Sequence, residues 1–303
     1  MKTPHVSVLL REIVQAFEGV ELRNFFDGTL GAGGHARALL AIHPEIEKYI
    51  GCDRDPVAHE AAAAALSPWR EKVEFVRSSY SELKQILREL KIDSLQGVMI
   101  DAGVSSMQLD HRERGFSFRG DGPLDMRMDP SADLTAEEIV NKYPEAEISR
   151  ILFEYGEERR SRQIARAIVD ARRKKPIRST AELVKLVEPI VGRSPIHPAT
   201  RTFQGLRIAV NDELGELEKG IQAAIDMCSV GGRIAVISFH SLEDRIAKTL
   251  FKKCEWRVAK RGQAAAGCLK ILTKKPAIPT PEEIQANSRS RSAKLRIAEK
   301  ICA

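Results

Sequence analysis

Two carboxylates and one glycine-rich turn are the residues whose types and spacing can do chemistry. Asp27-Gly28-Thr29-Leu30-Gly31-Ala32-Gly33-Gly34-His35 follows the apolar pair Phe25-Phe26 and opens into Ala36-Arg37-Ala38-Leu39-Leu40-Ala41-Ile42, which reads as a helix. Strand, glycine turn and helix in that order let the backbone approach a ligand closely and aim helix-start amides at it. Asp53 stands 20 residues after Gly33. It ends the strand-like run Lys48 to Asp53, the place from which a carboxylate takes the vicinal hydroxyls of a ribose. Asp101 ends a further run, Leu95-Gln96-Gly97-Val98-Met99-Ile100-Asp101, where an amino group can be held.

These residues need a scaffold, and the flanking pattern supplies one. Residues 7–18 carry Val8, Leu9, Ile13, Val14 and Phe17 at helical spacing. Helices over His59 to Leu66 and Ser81 to Leu90 alternate with strands at Lys48 to Asp53, Val73 to Arg77 and Leu95 to Asp101, which predicts a parallel, doubly wound sheet. From about Gln108 to Ala199 no strand is convincing. A loop rich in Gly, Arg, Asp and Phe over His111 to Pro130 leads to helices starting at Thr135 and Pro144, a basic one over Glu157 to Lys175, and one capped by Ser179. A long helix from about Arg201 to Cys228 then resumes the first pattern. It is followed by the strand Arg233 to Ser238, a helix capped at Ser241, and strands at Leu269 to Leu272 and Lys294 to Ile301. Thr280-Pro281-Glu282-Glu283 starts a short helix between those last two. The expected organisation is therefore a discontinuous core, 1–107 with 200–303, interrupted by an all-helical insertion over 108–199.

The chain has 303 residues, 43% hydrophobic and 30% charged, which fits a globular protein with an ample core. Its net charge of +6 favours a polyanionic partner. The five cysteines form no C-x-x-C pair, so neither a disulfide framework nor a zinc site is expected. Charge interrupts the N-terminal apolar run too early for a signal peptide, and no stretch is long and apolar enough to span a bilayer; a cytoplasmic location is expected, with no metal and no membrane partner.

A ribose at Asp53 fits either NAD or S-adenosylmethionine. Three features favour S-adenosylmethionine: the turn departs from a clean Gly-x-Gly-x-x-Gly, Asp101 offers a second acid, and the chain ends in two strands that can form an antiparallel hairpin. An NAD-dependent oxidoreductase and a non-catalytic RNA-binding assembly factor are the competing readings.

Longer runs narrow the choice. His5 to Leu10, Asp27 to His35, Asp101 to Asp110 (DAGVSSMQLD), Arg114 to Asp129 (RGFSFRGDGPLDMRMD), Tyr155 to Glu158, Arg201 to Leu214 (RTFQGLRIAVNDEL), Ser238 to Arg245 (SFHSLEDR) and Arg289 to Arg296 (RSRSAKLR) together resemble the bacterial 16S rRNA (cytosine-N(4))-methyltransferase family, MraW/RsmH, along essentially the whole chain. Ala102, Gly205 and Ser288 depart from the family's usual Leu, Ala and Pro without removing a polar group. The resemblance implies a Rossmann-like class I methyltransferase fold. It implies methyl transfer from S-adenosyl-L-methionine to the exocyclic N(4) amine of a cytidine in the decoding centre of 16S rRNA of the small ribosomal subunit. It also implies a cofactor site from Gly33, Gly34, His35, Asp53, Tyr80, Asp101 and Gln108.

In-line methyl transfer needs alignment and exclusion of water above all. Asp101 is expected to organise either the cofactor's amino group or the target amine. Aromatic stacking on the base would come from Phe116, Phe118 or Phe239. By position His240 faces the same crevice, where it either positions the base, relays a proton, or caps local structure. The cations Arg159, Arg160, Arg162, Arg166, Arg172, Arg173, Lys174, Lys175 and Arg178 have few acids among them after Glu158, which favours contact with RNA phosphates.

Overall fold

The computed structural model describes residues 7–257 and 267–302. His5 and Val6 of the run read above lie outside them. In chain order the elements are α1 (Leu10–Ala16), β1 (Asn24–Asp27), α2 (Gly34–Ile42), β2 (Lys48–Asp53), α3 (Pro56–Ala65), β3 (Val73–Arg77), α4 (Leu83–Leu90) and β4 (Leu95–Asp101). Six helices follow: α5 (Ser106–Asp110), α6 (Ala136–Lys142), α7 (Glu145–Glu154), α8 (Ser161–Arg172), α9 (Thr180–Val191) and α10 (Thr200–Asn211). The chain ends with α11 (Glu213–Met227), β5 (Cys228–Ser238), α12 (Ser241–Lys253), β6 (Leu269–Ile271), α13 (Pro281–Ala286) and β7 (Lys294–Lys300).

Residues up to Gly103, together with those from Leu214 onward, form one compact unit, and Val104–Glu213 form another. The first is built on a seven-stranded sheet in the order β3-β2-β1-β4-β5-β7-β6. The first five strands are parallel, and β7 runs antiparallel to both β5 and β6. Successive strand residues point to opposite faces, so Phe25 and Phe26 enter different cores. Phe25, Tyr49, Met99 and Ile237 pack with Leu9, Ile13, Leu39 and Leu66 of the α1, α2 and α3 side. Phe26, Ile50, Val98 and Val236 pack with Leu87, Ile221 and Phe251 from α4, α11 and α12. One buried and one half-buried cation close two helix ends. Lys300 donates to the carbonyls of Ile225 and Asp226 at the end of α11 (2.9 and 3.1 Å), and Arg233 to those of Ala16 and Glu18 behind α1 (2.7 and 3.0 Å).

The second unit is all-helical around its own core of Ile139, Ile151, Ile164, Ile168, Leu183 and Leu206. Its long loop is held by side chains that satisfy backbone groups. Arg114 donates to the carbonyls of Arg127 and Met128, both at 2.9 Å. Asn211 donates to the Met126 carbonyl and accepts the Met128 N–H, both at 2.7 Å.

The continuous helix expected over Arg201 to Cys228 is two helices, because Asp212 adopts a left-handed conformation (φ 46°) and ends α10. Phe203, Leu206 and Val210 of α10 pack into the helical core, so the return to the sheet unit falls at Leu214 rather than near residue 200. The departure likewise falls at Val104, ahead of the expected 108.

Candidate active site

The carboxyl ends of β1 and β4 adjoin at the point where the strand order reverses, which is where an open α/β sheet holds its ligand. Asp27, the last residue of β1, is fully buried. It accepts the Thr29 N–H (3.1 Å) and the Tyr49 hydroxyl (2.8 Å). Burial pushes its pKa up to about 7 against those two hydrogen bonds. The Thr29 hydroxyl oxygen accepts the Asp101 N–H at 2.7 Å, which ties the glycine turn to the end of β4. Asp53 accepts the N–H groups of Gly31 (3.0 Å) and Asp55 (2.9 Å), so it faces the turn across from β1. Its pKa is also raised by burial.

Asp101 is the most exceptional group of the site. Its Oδ1 is buried and has no hydrogen-bond partner. Burial drives its pKa well above the usual carboxylate range, and the charges named beside it, Asp27 and Glu243, have its own sign. A buried acceptor without a donor, among like charges, is an arrangement that a bound cation relieves. The chemistry of the donors therefore fits S-adenosylmethionine, whose amino group and sulfonium are cationic.

The glycine turn ends in Gly33, in a left-handed conformation (φ 77°), as the N-cap of α2. Gly34 is needed for a close approach, since a Cβ there would lie 2.0 Å from the Ser7 hydroxyl oxygen. His35 is buried, and its Nε2 meets the Val8 carbonyl at 2.9 Å, anchoring the N-terminal segment across the helix start. Tyr80 lies against Gly28: a Cβ on that glycine would come within 2.8 Å of the tyrosine's own Cβ. Gln108 belongs to the helical unit, where it is buried and completes a capping box with Ser105 at the start of α5.

His240, and not Ser241, is the N-cap of α12. Its Nδ1 accepts the Glu243 N–H at 3.4 Å, while the Glu243 carboxylate accepts the N–H groups of Phe239 (2.7 Å) and His240 (3.2 Å). The other ring nitrogen, Nε2, is 3.1 Å from Glu243 Oε1. The ring is thus turned onto its own helix start, as the capping alternative requires.

Among the expected stacking residues, Phe116 is buried in the core of the helical unit beneath Arg114, and cannot take a base. Phe118 is half-buried and stacks on His197, with centroids 4.3 Å apart. Phe239 is half-buried against the sheet core.

The basic helix splits into two groups. Arg172 donates to the carbonyls of Val140 and Tyr143, both at 2.7 Å, at the end of α6, so it serves the fold. Arg160 reaches the Ile190 carbonyl near the end of α9. Arg173 pairs with Asp170 and Lys175 with Glu182. Arg159, Arg162, Arg166 and Lys174 are exposed. Thr29, Tyr49 and Glu243 escaped the sequence reading as site residues. Thr29 and Tyr49 sit inside expected elements, and only the pairing of β1 with β2 brings Tyr49 to Asp27.

A sheet of five parallel strands with an antiparallel β7 inserted between β5 and β6, carrying an acid at the ends of β1, β2 and β4, defines a Rossmann-like methyltransferase. The match to the MraW methylase family runs over residues 2–301, and the chain belongs to that family. It is similar to the protein named ribosomal RNA small subunit methyltransferase H in Heliobacterium mobile, at 46% identity over 99% of this chain and 100% of that one. Relatives of the same name in Carboxydothermus hydrogenoformans and Geotalea uraniireducens are 44% and 45% identical, covering 99% of each chain and 98% of each chain respectively. Among the described residues no helix is long and apolar enough to cross a membrane, and no cluster of His, Cys, Asp and Glu can hold a metal ion.

Proposed function

We propose that the protein transfers a methyl group from S-adenosyl-L-methionine to the exocyclic N(4) amine of a cytidine in 16S rRNA of the small ribosomal subunit. Family membership along the whole chain supports the reaction class and the rRNA substrate. The observation that carries the chemistry is the buried, unpartnered Oδ1 of Asp101 at the end of β4.

The cofactor supplies a methyl group activated on a sulfonium. Everything else is the work of the chain. Gly33 and Gly34 admit the ligand to the backbone, and the start of α2 presents its amides. Asp53, already held by Gly31 and Asp55, keeps lone pairs on both oxygens for the ribose hydroxyls. Tyr80 forms the wall beside the adenine. Asp101 accepts N–H groups at the centre of the crevice. A cytosine amine is a poor nucleophile because its lone pair is delocalised into the ring, so alignment by fixed acceptors supplies most of the acceleration. His35 serves indirectly, by pinning the N-terminal segment over the turn, and His240 holds Glu243 and the β5–α12 turn in place. The helical unit, Val104–Glu213, is the RNA-recognition element; its exposed cations meet the phosphates.

Incubation of radiolabelled S-adenosylmethionine with small subunits from cells lacking the gene, followed by nucleoside analysis, tests this reading. Label in N(4)-methylcytidine is the expected result. NADH turnover, or RNA binding without label, overturns it.

A further inference from the structure

A second polar cluster in the sheet unit lies beside the residues read as the cofactor site. Glu216 of α11 accepts the hydroxyls of Ser79 and Ser81, the latter at 2.6 Å, and the Arg54 guanidinium at 2.9 Å. Arg54 also donates to the Ser79 hydroxyl at 2.8 Å. Burial alone would raise the Glu216 pKa; the two serines and the Arg54 charge hold it below the ordinary value, so it stands as a carboxylate. Its partners flank the expected ligand contacts. Arg54 follows Asp53, and Ser79 and Ser81 bracket Tyr80.

One turn further along the same face of α11 stands Gly220. A Cβ there would meet the Tyr80 ring, 2.5 Å from Cδ2 and 3.0 Å from Cε2. The tyrosine therefore packs directly onto the helix backbone. Gly28 of the glycine turn is pressed against its other end, 2.8 Å from an added Cβ to the Tyr80 Cβ.

We infer that Glu216 and Gly220 are positioning residues for the cofactor: together they clamp Tyr80 against the glycine turn and so fix the adenine wall of the crevice. This rests on the reading of Tyr80 as the residue beside the adenine. Neither residue reaches the reacting atoms. The clamp therefore acts on cofactor affinity, and it acts through Tyr80.

Calorimetric binding of S-adenosylhomocysteine to Glu216→Ala, Glu216→Gln, Gly220→Ala and Tyr80→Ala, and to the Glu216→Ala/Tyr80→Ala pair, tests it. Expected is roughly tenfold weaker binding in Glu216→Ala and Gly220→Ala. Glu216→Gln should recover part of the loss, because the amide oxygen still accepts from the serines. In steady-state turnover on small subunits, the KM for S-adenosylmethionine should rise far more than kcat falls. Glu216→Ala should add little in the Tyr80→Ala background. Wild-type binding in both Gly220→Ala and Glu216→Gln, with Tyr80→Ala impaired, overturns the clamp and leaves the adenine reading intact. Unchanged binding in Tyr80→Ala overturns that reading and the clamp with it. Should Glu216→Ala fail to fold, the Gln and Gly220 variants decide.

Discussion

The hydroxyl of Thr29 accepts the backbone N–H of Asp101 at 2.7 Å, across 72 residues of sequence. Through this one bond the glycine turn and the acid at the end of β4 share a position. Thr29→Val keeps the shape and removes the acceptor, leaving a donor unpaired where the two strands meet. The expected cost is about 1–3 kcal/mol in chemical denaturation, together with weaker cofactor binding. A variant as stable as the parent would show that water replaces the hydroxyl.

Asp101→Asn should abolish methyl transfer while leaving the fold at least as stable. It removes a buried carboxylate that faces Asp27 and Glu243. Turnover on small subunits and urea unfolding are the two measurements. Near-normal turnover would remove Asp101 from the chemistry.

Asp27, Asp53 and Asp101 all have pKa values raised by folding, Asp27 to about 7. A carboxyl that holds its proton more tightly when folded makes the folded state bind more protons than the unfolded one. Stability therefore falls as pH rises from about 4 towards 7. Cofactor affinity should move oppositely, since a cation prefers ionised acids. The urea midpoint of the unliganded protein should be higher at pH 5.5 than at pH 8, and Asp27→Asn should lose part of that slope. An undiminished slope in the variant would assign the effect elsewhere.

His240→Asn separates capping from proton transfer. Asparagine is among the best N-cap residues, so a capping role predicts activity and stability close to the parent, while His240→Ala loses about 1 kcal/mol. Loss of single-turnover rate in the asparagine variant, at unchanged stability, would instead mark the imidazole as chemical.

The basic helix should divide under mutation as its contacts divide. Arg159→Ala/Arg162→Ala/Arg166→Ala is expected to weaken RNA binding and to flatten its dependence on log salt by about two. Arg172→Ala should lower the thermal midpoint with little change in that slope, because its guanidinium serves the carbonyls of Val140 and Tyr143. Equal salt slopes in the parent and the triple variant would place the RNA surface elsewhere.

The sheet was legible in the sequence because its strands are short apolar runs, three of which, β1, β2 and β4, end in the acids Asp27, Asp53 and Asp101. Ser179 and Thr280 announced their helices through local side-chain spacing. What escaped depends on contacts far apart in the chain. The break at Asp212 is a local conformation forced where α10 packs into one core and α11 into another, and nothing in RIAVNDELGELEKG breaks the apolar period there. His35 bonds to Val8, and Glu216 to Ser79 across 137 residues, so neither role has a spacing signature. His240 was seen as a residue of interest, but Ser241 offered the more familiar cap.

β4 pairs with β1 on one edge and with β5 on the other, yet the whole helical unit is translated between β4 and β5. A ribosome making this chain exposes Leu95–Asp101, apolar on both faces, long before the partner for its second edge emerges. At typical elongation rates that interval is on the order of ten seconds. Meanwhile the helices from α5 to α10 can complete a core of their own. The nascent protein thus carries an open, adhesive strand edge during the synthesis of its second unit. Growth temperature and chaperone supply should act on the yield of active protein through that window.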